Sequence, residues 1–257
     1  MISDYLQRGV AAGLTAGLAY ALYMVTVGNP LTDYIHDAGH SHDDGGHGHD
    51  DGGHGHEHAA EAHEHAGHAV SETTTAIVSA GSGVLWGIFL GGVFAVALYV
   101  FEPALPGVGD VKAYVLAGAG FFSASVMPWL VLPPAAPGAE NIYGIETRLT
   151  IYLGLVVAGA VVSALAVAAY NRASRRHVGL GVLAGTVPVV AAVVAIPVLS
   201  PTVVSHPGLD AELVSTYRAL AALSQAALWL LIAGVFCRLE GRFGGEPARQ
   251  RDDAVAT

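Results

Sequence analysis

Long runs of apolar residues dominate the chain, and each is long enough to cross a lipid bilayer as a helix. Six such runs lie between polar or proline-rich stretches, at residues 9–27, 75–101, 111–132, 149–170, 178–199 and 213–236. About 20 apolar residues span the hydrocarbon core of a membrane, whereas strands and most buried helices of soluble proteins are shorter. The pattern therefore predicts an all-α fold, a polytopic membrane helix bundle with six transmembrane helices.

Pro188 and Pro197 lie inside the fifth run and predict a kink in that helix. If this run were re-entrant, leaving the membrane on the side where it enters, the number of spans would be five. A cleaved signal peptide is the less favoured interpretation of the first run, because its apolar residues continue to Val27, past the length of a typical signal sequence.

Glycines recur at every fourth position in the first two runs. They are Gly9, Gly13 and Gly17 in the first run and Gly83, Gly87 and Gly91 in the second. Small residues at this spacing let two helix backbones approach closely in lipid. We therefore expect the first two transmembrane helices to pack tightly against each other.

The composition agrees with a membrane protein and excludes several other classes. Hydrophobic residues make up 53% of the 257 residues, charged residues make up 12%, and there is one Cys. These values exclude a disordered chain and a disulfide-stapled secreted domain. The net charge of −10 argues against nucleic-acid binding. We expect no enzymatic activity, since neither a nucleotide-binding motif nor a catalytic constellation is present.

Lys and Arg are distributed unevenly between the two ends of the predicted helices. Nine of the eleven precede the first helix, follow the sixth, or lie in the second-to-third and fourth-to-fifth connections. Only Arg148 and Arg218 belong to the other end. Because basic residues are enriched on the cytoplasmic side of membrane proteins, the asymmetry predicts a multi-pass protein of the plasma membrane with both termini in the cytoplasm.

Acidic residues and His are concentrated between the first two helices, in a segment of low complexity that predicts a loop disordered without a ligand. Imidazoles and carboxylates together bind borderline divalent ions such as Co²⁺, Ni²⁺, Cu²⁺ and Zn²⁺. The segment therefore predicts an external device that concentrates metal rather than selects it. The candidate metal ligands are His36, His40, His42, His47, His49, His54, His56, His58, His63, His65, His68, Asp43, Asp44, Asp50 and Asp51.

These features divide the chain into four parts. They are a first transmembrane helix at 1–32, an external His-rich segment at 33–73, a five-helix membrane bundle at 74–243 and a disordered cytoplasmic tail at 244–257. The His-rich segment is expected to be extracellular because it lies at the end opposite to most of the basic residues.

Ionisable groups at membrane depth are costly and are therefore functional candidates. Arg218, near the start of the sixth run, either snorkels to the outer interface or pairs with a carboxylate, for which Glu146 is the obvious partner. Pro128 frees a backbone carbonyl and Met127 adds a thioether, although the same stretch also fits a packed hairpin with an interfacial Trp. The candidate transport path consists of Met127, Asn141, Glu146, Arg148 and Arg218.

Two short stretches resemble the CbtA family of predicted cobalt transporter subunits. They are the turn Leu-Pro-Pro-Ala-Ala-Pro-Gly at 132–138 and the helix start Ile-Glu-Thr-Arg-Leu-Thr-Ile-Tyr at 145–152. The family has a Tyr-Pro-x-Asn-Pro-Pro-x-x-Gly-like turn, and many members carry a His/Glu-rich loop after the first helix. The chain departs from this turn, since Val131 and Leu132 replace the Tyr and Ala136 interrupts the Pro pair.

The resemblance implies uptake of cobalt in support of cobalamin synthesis, with a small, single-span, His-containing companion subunit as partner. We expect no prosthetic group, because the divalent metal ion is the substrate, with nickel or zinc as alternatives to cobalt. The residues themselves leave two main classes of function open. One is a permease subunit for metal uptake, and the other is a non-transporting membrane metal sensor or buffer. Efflux is less favoured, because efflux systems more often gather metal from the cytoplasmic side.

Overall fold

A computed structural model describes residues 2–40, 61–136, 139–200, 204–205 and 209–244. Its elements in chain order are α1 (Ile2–Tyr23), π1 (Met24–Gly28), α2 (Asn29–His40), α3 (Glu61–Phe101), α4 (Asp110–Phe121), π2 (Phe122–Val126), α5 (Met127–Trp129), β1 (Glu140–Asn141), α6 (Ile145–Ser174), α7 (Val178–Leu199), β2 (Val204–Ser205) and α8 (Ala211–Gly244). Here π1 and π2 are five-residue stretches of π-helix, in which the backbone is wound more widely than in an α-helix.

Among the residues that the structure describes, six helices are long and apolar enough to cross a membrane, which confirms the predicted fold. They are Ile2–Ile35, Ile77–Phe101, Asp110–Trp129, Ile145–Ser174, Val178–Leu199 and Ala211–Gly241. The fifth is one continuous helix despite its two internal prolines. Within the described residues, the five-span alternative therefore finds no support.

Both π-helical stretches precede a proline that lies inside a longer helix. Pro30 follows π1 and Pro128 follows π2. A proline inside an α-helix cannot donate a backbone hydrogen bond, and its ring clashes with the carbonyl four residues earlier. The wider π-helical winding accommodates the ring, so each helix continues through its proline with one backbone carbonyl left for another donor.

The predicted packing of the first two transmembrane helices is confirmed between α1 and α3. The glycines at 9, 13 and 17 face those at 83, 87 and 91 so closely that the helices are in backbone contact. A β-carbon built on Gly87 would lie 2.6 Å from the carbonyl oxygen of Gly13. Since lipid tails are as apolar as the side chains, such close packing replaces the hydrophobic effect as the source of helix association.

The core of the bundle lies between α1, α3, α4 and α8. Phe94 and Phe236 meet edge to face at its centre, with ring centroids 5.7 Å apart, and Ile232 is fully buried beside them. α6 packs mainly on α7 and on π2. The chain thus forms a compact group of four spans, with the hairpin of α6 and α7 attached along π2.

Hydrogen bonds tie the connections together at both ends of the bundle. At one end, Glu102 accepts from the Tyr5 hydroxyl at 3.0 Å and pairs with Lys112 at 3.5 Å, and Asn171 donates to the Ala104 carbonyl at 2.7 Å. We call this the basic end, since it holds the start of α1, the turns before α4 and α7, and the last part of α8. At the other end, β1 pairs antiparallel with β2.

Several helices extend past the predicted apolar runs, because polar residues continue a helix outside the membrane. α1 already begins at Ile2, and α8 ends at Gly244. Around the His-rich segment, α2 reaches His40 and α3 begins at Glu61, where Ala and Glu favour helix. The third span is shorter than predicted, ending at Trp129 ahead of the proline-rich turn.

Candidate functional site

The predicted metal ligands fall partly on helices and partly beyond the described residues. His36 and His40 belong to α2, and His63, His65 and His68 belong to α3. Outside the described residues lie His42, His47, His49, His54, His56, His58, Asp43, Asp44, Asp50 and Asp51. Across the described part of the chain, no group of three His, Cys, Asp or Glu side chains could hold a metal ion. Metal binding by the His-rich segment therefore stays a prediction.

Of the two alternatives for Arg218, the ion pair with Glu146 is not formed. Glu146 is exposed at the start of α6, and the ion pair that the described residues form is Lys112 with Glu102. Arg218 lies on α8, which packs on α1 and α4 rather than on α6. Its Nε atom is buried and has no hydrogen-bond partner among the described residues.

The other predicted path residues do not meet at one place. Met127 is 1% exposed and packs against Gly159, where a β-carbon would lie 3.0 Å from the Met127 side chain. Arg148 lines a separate surface cleft with the proline-rich turn. The backbone of Asn141 pairs with Val204 in the β1–β2 ladder. The five residues therefore lie at separate places, and their role in transport stays a prediction.

A cavity of about 180 Å³, with several polar groups in a mostly apolar lining, lies between π1, α2, α8 and the start of the proline-rich turn. We call it the tyrosine chamber. It is lined by Tyr20, Tyr23, Met24, Gly28, Leu31, Thr32, Trp129, Pro134, Tyr217, Leu220, Ala221, Ser224 and Gln225. The Gln225 side chain interacts with the Tyr20 hydroxyl. Neutral polar groups thus line a space inside the bundle at the end opposite to the basic end.

A second cavity of about 260 Å³ lies where π2 faces α3, α6 and α8. We call it the tryptophan chamber. It is lined by Trp86, Leu90, Ala124, Ser125, Trp129, Tyr152, Gln225 and Trp229. Trp129 and Gln225 line both chambers, so the two cavities adjoin.

Three of the hydroxyl groups that line the chambers have donated their protons to backbone carbonyls. Thr32 donates to the Gly28 carbonyl at 2.9 Å, and Ser224 donates to the Ala221 carbonyl at 2.9 Å. Tyr152 donates at 2.9 Å to the Ala124 carbonyl, which lies four residues before Pro128. A hydroxyl that has donated its proton keeps lone pairs that can accept or coordinate.

The chambers suit a small polar solute that carries positive charge. Their linings contain hydroxyl, amide and thioether groups and no Asp, Glu, Lys or Arg. The indole N–H of Trp229, a residue only 6% exposed, has no partner within the described residues; as a donor it can bind water or another acceptor, but it does not coordinate a cation. Hydroxyl and amide oxygens carry lone pairs that can contact a cation.

Sequence reasoning missed the chambers because it searched for ionisable groups. Gln225 and Ser224 are polar residues within an apolar run, and Tyr20 and Tyr23 lie on one such run as well. Uncharged polar side chains in membrane helices commonly bond to neighbouring helices, so they give a weaker signal than a charge. Pro128 was the sequence feature that pointed to this region. The backbone carbonyl that it was predicted to free is that of Ala124, which accepts a hydrogen bond from the Tyr152 hydroxyl.

The six apolar helices of the described residues define a multi-pass membrane protein. The chain belongs to the family described as probable cobalt transporter subunit (CbtA), whose model matches residues 2–240. The word subunit in this description implies a partner component. Neither a curated protein nor a solved structure matches the chain.

Proposed function

We propose that the protein is the membrane permease subunit of a system that takes up cobalt for cobalamin synthesis. The observation that carries this proposal is the family match over residues 2–240, and the six spans support it. The reaction is movement of an ion, so the protein has no catalytic residues and no prosthetic group. Co²⁺ is the substrate, with nickel or zinc as the alternatives.

The His-rich segment collects the ion outside the cell. Its eleven His and many carboxylates offer several alternative ligand sets to one divalent ion. Such a segment raises the local concentration of metal at the mouth of the bundle, and the selectivity belongs to the bundle. Binding weakens as imidazoles become protonated, near pH 6.5 and below for an ordinary His.

The ion then passes through the tyrosine chamber and the tryptophan chamber. The tyrosine chamber includes Leu31 and Thr32, which lie on α2 just before the His-rich segment. Gln225 and Trp129 stand where the chambers adjoin and therefore control passage between them. This path replaces the one predicted from charged residues.

The protein acts in the plasma membrane with both termini in the cytoplasm. The basic end carries Arg8, Lys112, the three Arg residues around the α6–α7 turn, and Arg238, which supports its assignment to the cytoplasmic side. The partner component is a small, single-span, His-containing subunit.

The test is cobalt entry into liposomes that contain the full chain, purified with any subunit that accompanies it, and a fluorophore quenched by cobalt. We expect quenching faster than in protein-free liposomes. A variant that lacks residues 41–60 should need more cobalt for half-maximal rate and should reach a similar rate at high cobalt. If this deletion abolished entry at every concentration, the segment would belong to the obligatory path rather than collect metal.

A membrane metal sensor or buffer is the alternative function. It predicts cobalt binding to the purified chain without cobalt entry, in liposomes where the reconstituted protein retains its helical content. That outcome would overturn the permease proposal.

A further inference from the structure

A second polar feature lies outside the chambers, at the basic end of the bundle. The last part of α6 and the first part of α7 enclose a cleft of about 820 Å³. Its polar rim is formed by Arg172, Arg175 and Arg176, and its apolar wall by Leu180, Leu183 and Val187. A cationic rim beside an apolar wall is complementary to a molecule with an anionic head and a hydrocarbon tail.

Within the part of the chain that the structure describes, no ion pair neutralises the charge on this rim. No Asp or Glu occurs between Glu146 and Asp210 in the sequence. Within the described residues, the ion pair formed is Lys112 with Glu102, and none of the three Arg side chains takes part in it. Three neighbouring cations repel one another, so an external anion would be attracted to the cleft.

The geometry of the turn holds the three cations together. Asn171 donates to the Ala104 carbonyl at 2.7 Å, which fixes the end of α6 to the turn before α4. Nδ1 of His177 accepts the Gly179 backbone N–H at 3.1 Å, which caps α7 immediately after Arg176. Arg has a planar fork that binds phosphate oxygens in pairs.

Lipid has free access to the cleft, because the α6–α7 hairpin is the least enclosed part of the bundle. Each helix buries a single residue, Gly159 in α6 and Gly181 in α7. All three Arg residues are exposed, and the apolar wall continues along α7 into the membrane. A lipid headgroup at the interface would therefore reach the rim while its acyl chain follows the wall.

We propose that the α6–α7 cleft binds the phosphate headgroup of an anionic phospholipid. Basic pockets between transmembrane helices are suited to such headgroups. Basic residues are enriched on the cytoplasmic side of membrane proteins, and this enrichment accounts for three Arg residues in one turn. It does not account for their position on the rim of an apolar cleft. The inference rests on the cleft alone and does not depend on the transported ion.

The test is native mass spectrometry of the full chain from micelles with equal amounts of phosphatidylglycerol and phosphatidylcholine. We expect roughly tenfold or greater preference for phosphatidylglycerol, falling close to one in the double variant Arg175→Gln, Arg176→Gln. The matched control is Arg8→Gln with Arg238→Gln, which removes the same charge at the same end outside the cleft. It should keep the preference, and an equal loss in both variants would overturn the proposal.

Two further measurements separate the cleft from general charge attraction and from soluble phosphate. Ala184→Trp fills the cleft and leaves every Arg in place, so it should also abolish the preference, and it serves if the Arg variants fail to fold. An unchanged preference in Ala184→Trp would contradict a lipid seated in the cleft. Millimolar inorganic phosphate should leave phosphatidylglycerol bound, whereas its displacement would identify soluble phosphate as the occupant and overturn the lipid assignment.

Discussion

Single prolines shape the interior of this membrane protein at the residue scale. Pro30 and Pro128 each follow a π-helical stretch, and each stretch lines one of the two chambers. The free carbonyl predicted from Pro128 is present at Ala124, but the sequence could not tell that the Tyr152 hydroxyl would bind it. The sequence indicates that a proline leaves a backbone carbonyl without its usual donor. Which side chain then bonds to that carbonyl depends on which helices become neighbours.

The absence of an ion pair between Arg218 and Glu146, one of the two alternatives for Arg218, has the same cause. Both residues lie near the starts of their helices, at the end opposite to the basic end, but α8 packs on α1 and α4 rather than on α6. The sequence of a single helix does not indicate which helices pack on it, since the lipid-exposed and buried faces of these runs have similar composition. Charge therefore identified the residues that are costly to place in a membrane, but it did not indicate which side chains lie next to them.

Gln225 is the residue on which the proposed path depends most. Gln225→Leu removes the amide shared by both chambers, so we expect cobalt entry into liposomes to fall roughly ten- to hundredfold, the effect of losing one polar partner of about 1–3 kcal/mol. Leu223→Ala on the same helix, at a residue 66% exposed, is the matched control and should transport normally. Normal entry in the Gln225→Leu protein would exclude the chambers as the path.

Met127 should prove to be a packing residue. It is buried against Gly159 and lines neither chamber. Met127→Leu keeps the volume and removes the thioether, so cobalt entry and the melting temperature in detergent should both stay near wild type. A loss of cobalt entry with unchanged melting would instead restore Met127 as an ion ligand.

Element-scale structure follows most directly from the glycine repeats in α1 and α3. Their spacing predicted close packing, and the helices are in backbone contact along the repeat. Because the partner of each repeat is another repeat, this pair could be identified from sequence. The repeats carried no information about α8, which also packs on α1, for example through the Tyr5 and Phe236 rings.

Gly87 tests this contact. Gly87→Ala forces a methyl group into the Gly13 carbonyl, so we expect the free energy of unfolding in detergent to fall by about 1–3 kcal/mol. Gly81→Ala on the same helix is the matched control, since a β-carbon at Gly81 meets nothing within 4 Å. Equal stability of the two variants would show that the backbone contact contributes little.

The orientation of the whole molecule stays a prediction, and it can be tested with one cysteine at a time. Cys237 is the single Cys of the chain, so Cys237→Ala provides a clean background. Gly45→Cys in the His-rich segment should react with a membrane-impermeant maleimide in intact cells, and Arg249→Cys in the tail should react only after lysis. The reverse pattern would place the His-rich segment in the cytoplasm and favour efflux over uptake.

At the scale of the whole molecule, the sequence determined the number of spans and the end that holds most basic residues. It could not determine that four spans form the core while the α6–α7 hairpin stays peripheral, since all six runs are similarly apolar. The chambers and the Arg-lined cleft are products of that arrangement. They had to be found in the structure.

The most direct test of cobalt uptake is accumulation of radioactive cobalt in cells that contain or lack this gene. Cells with the wild-type protein should accumulate cobalt even with excess zinc, because selectivity is assigned to the bundle and not to the His-rich segment. The Gln225→Leu protein, at equal membrane abundance, should accumulate little more than cells without the gene. Equal accumulation with and without the wild-type protein, verified in the membrane together with its partner component, would contradict the central claim.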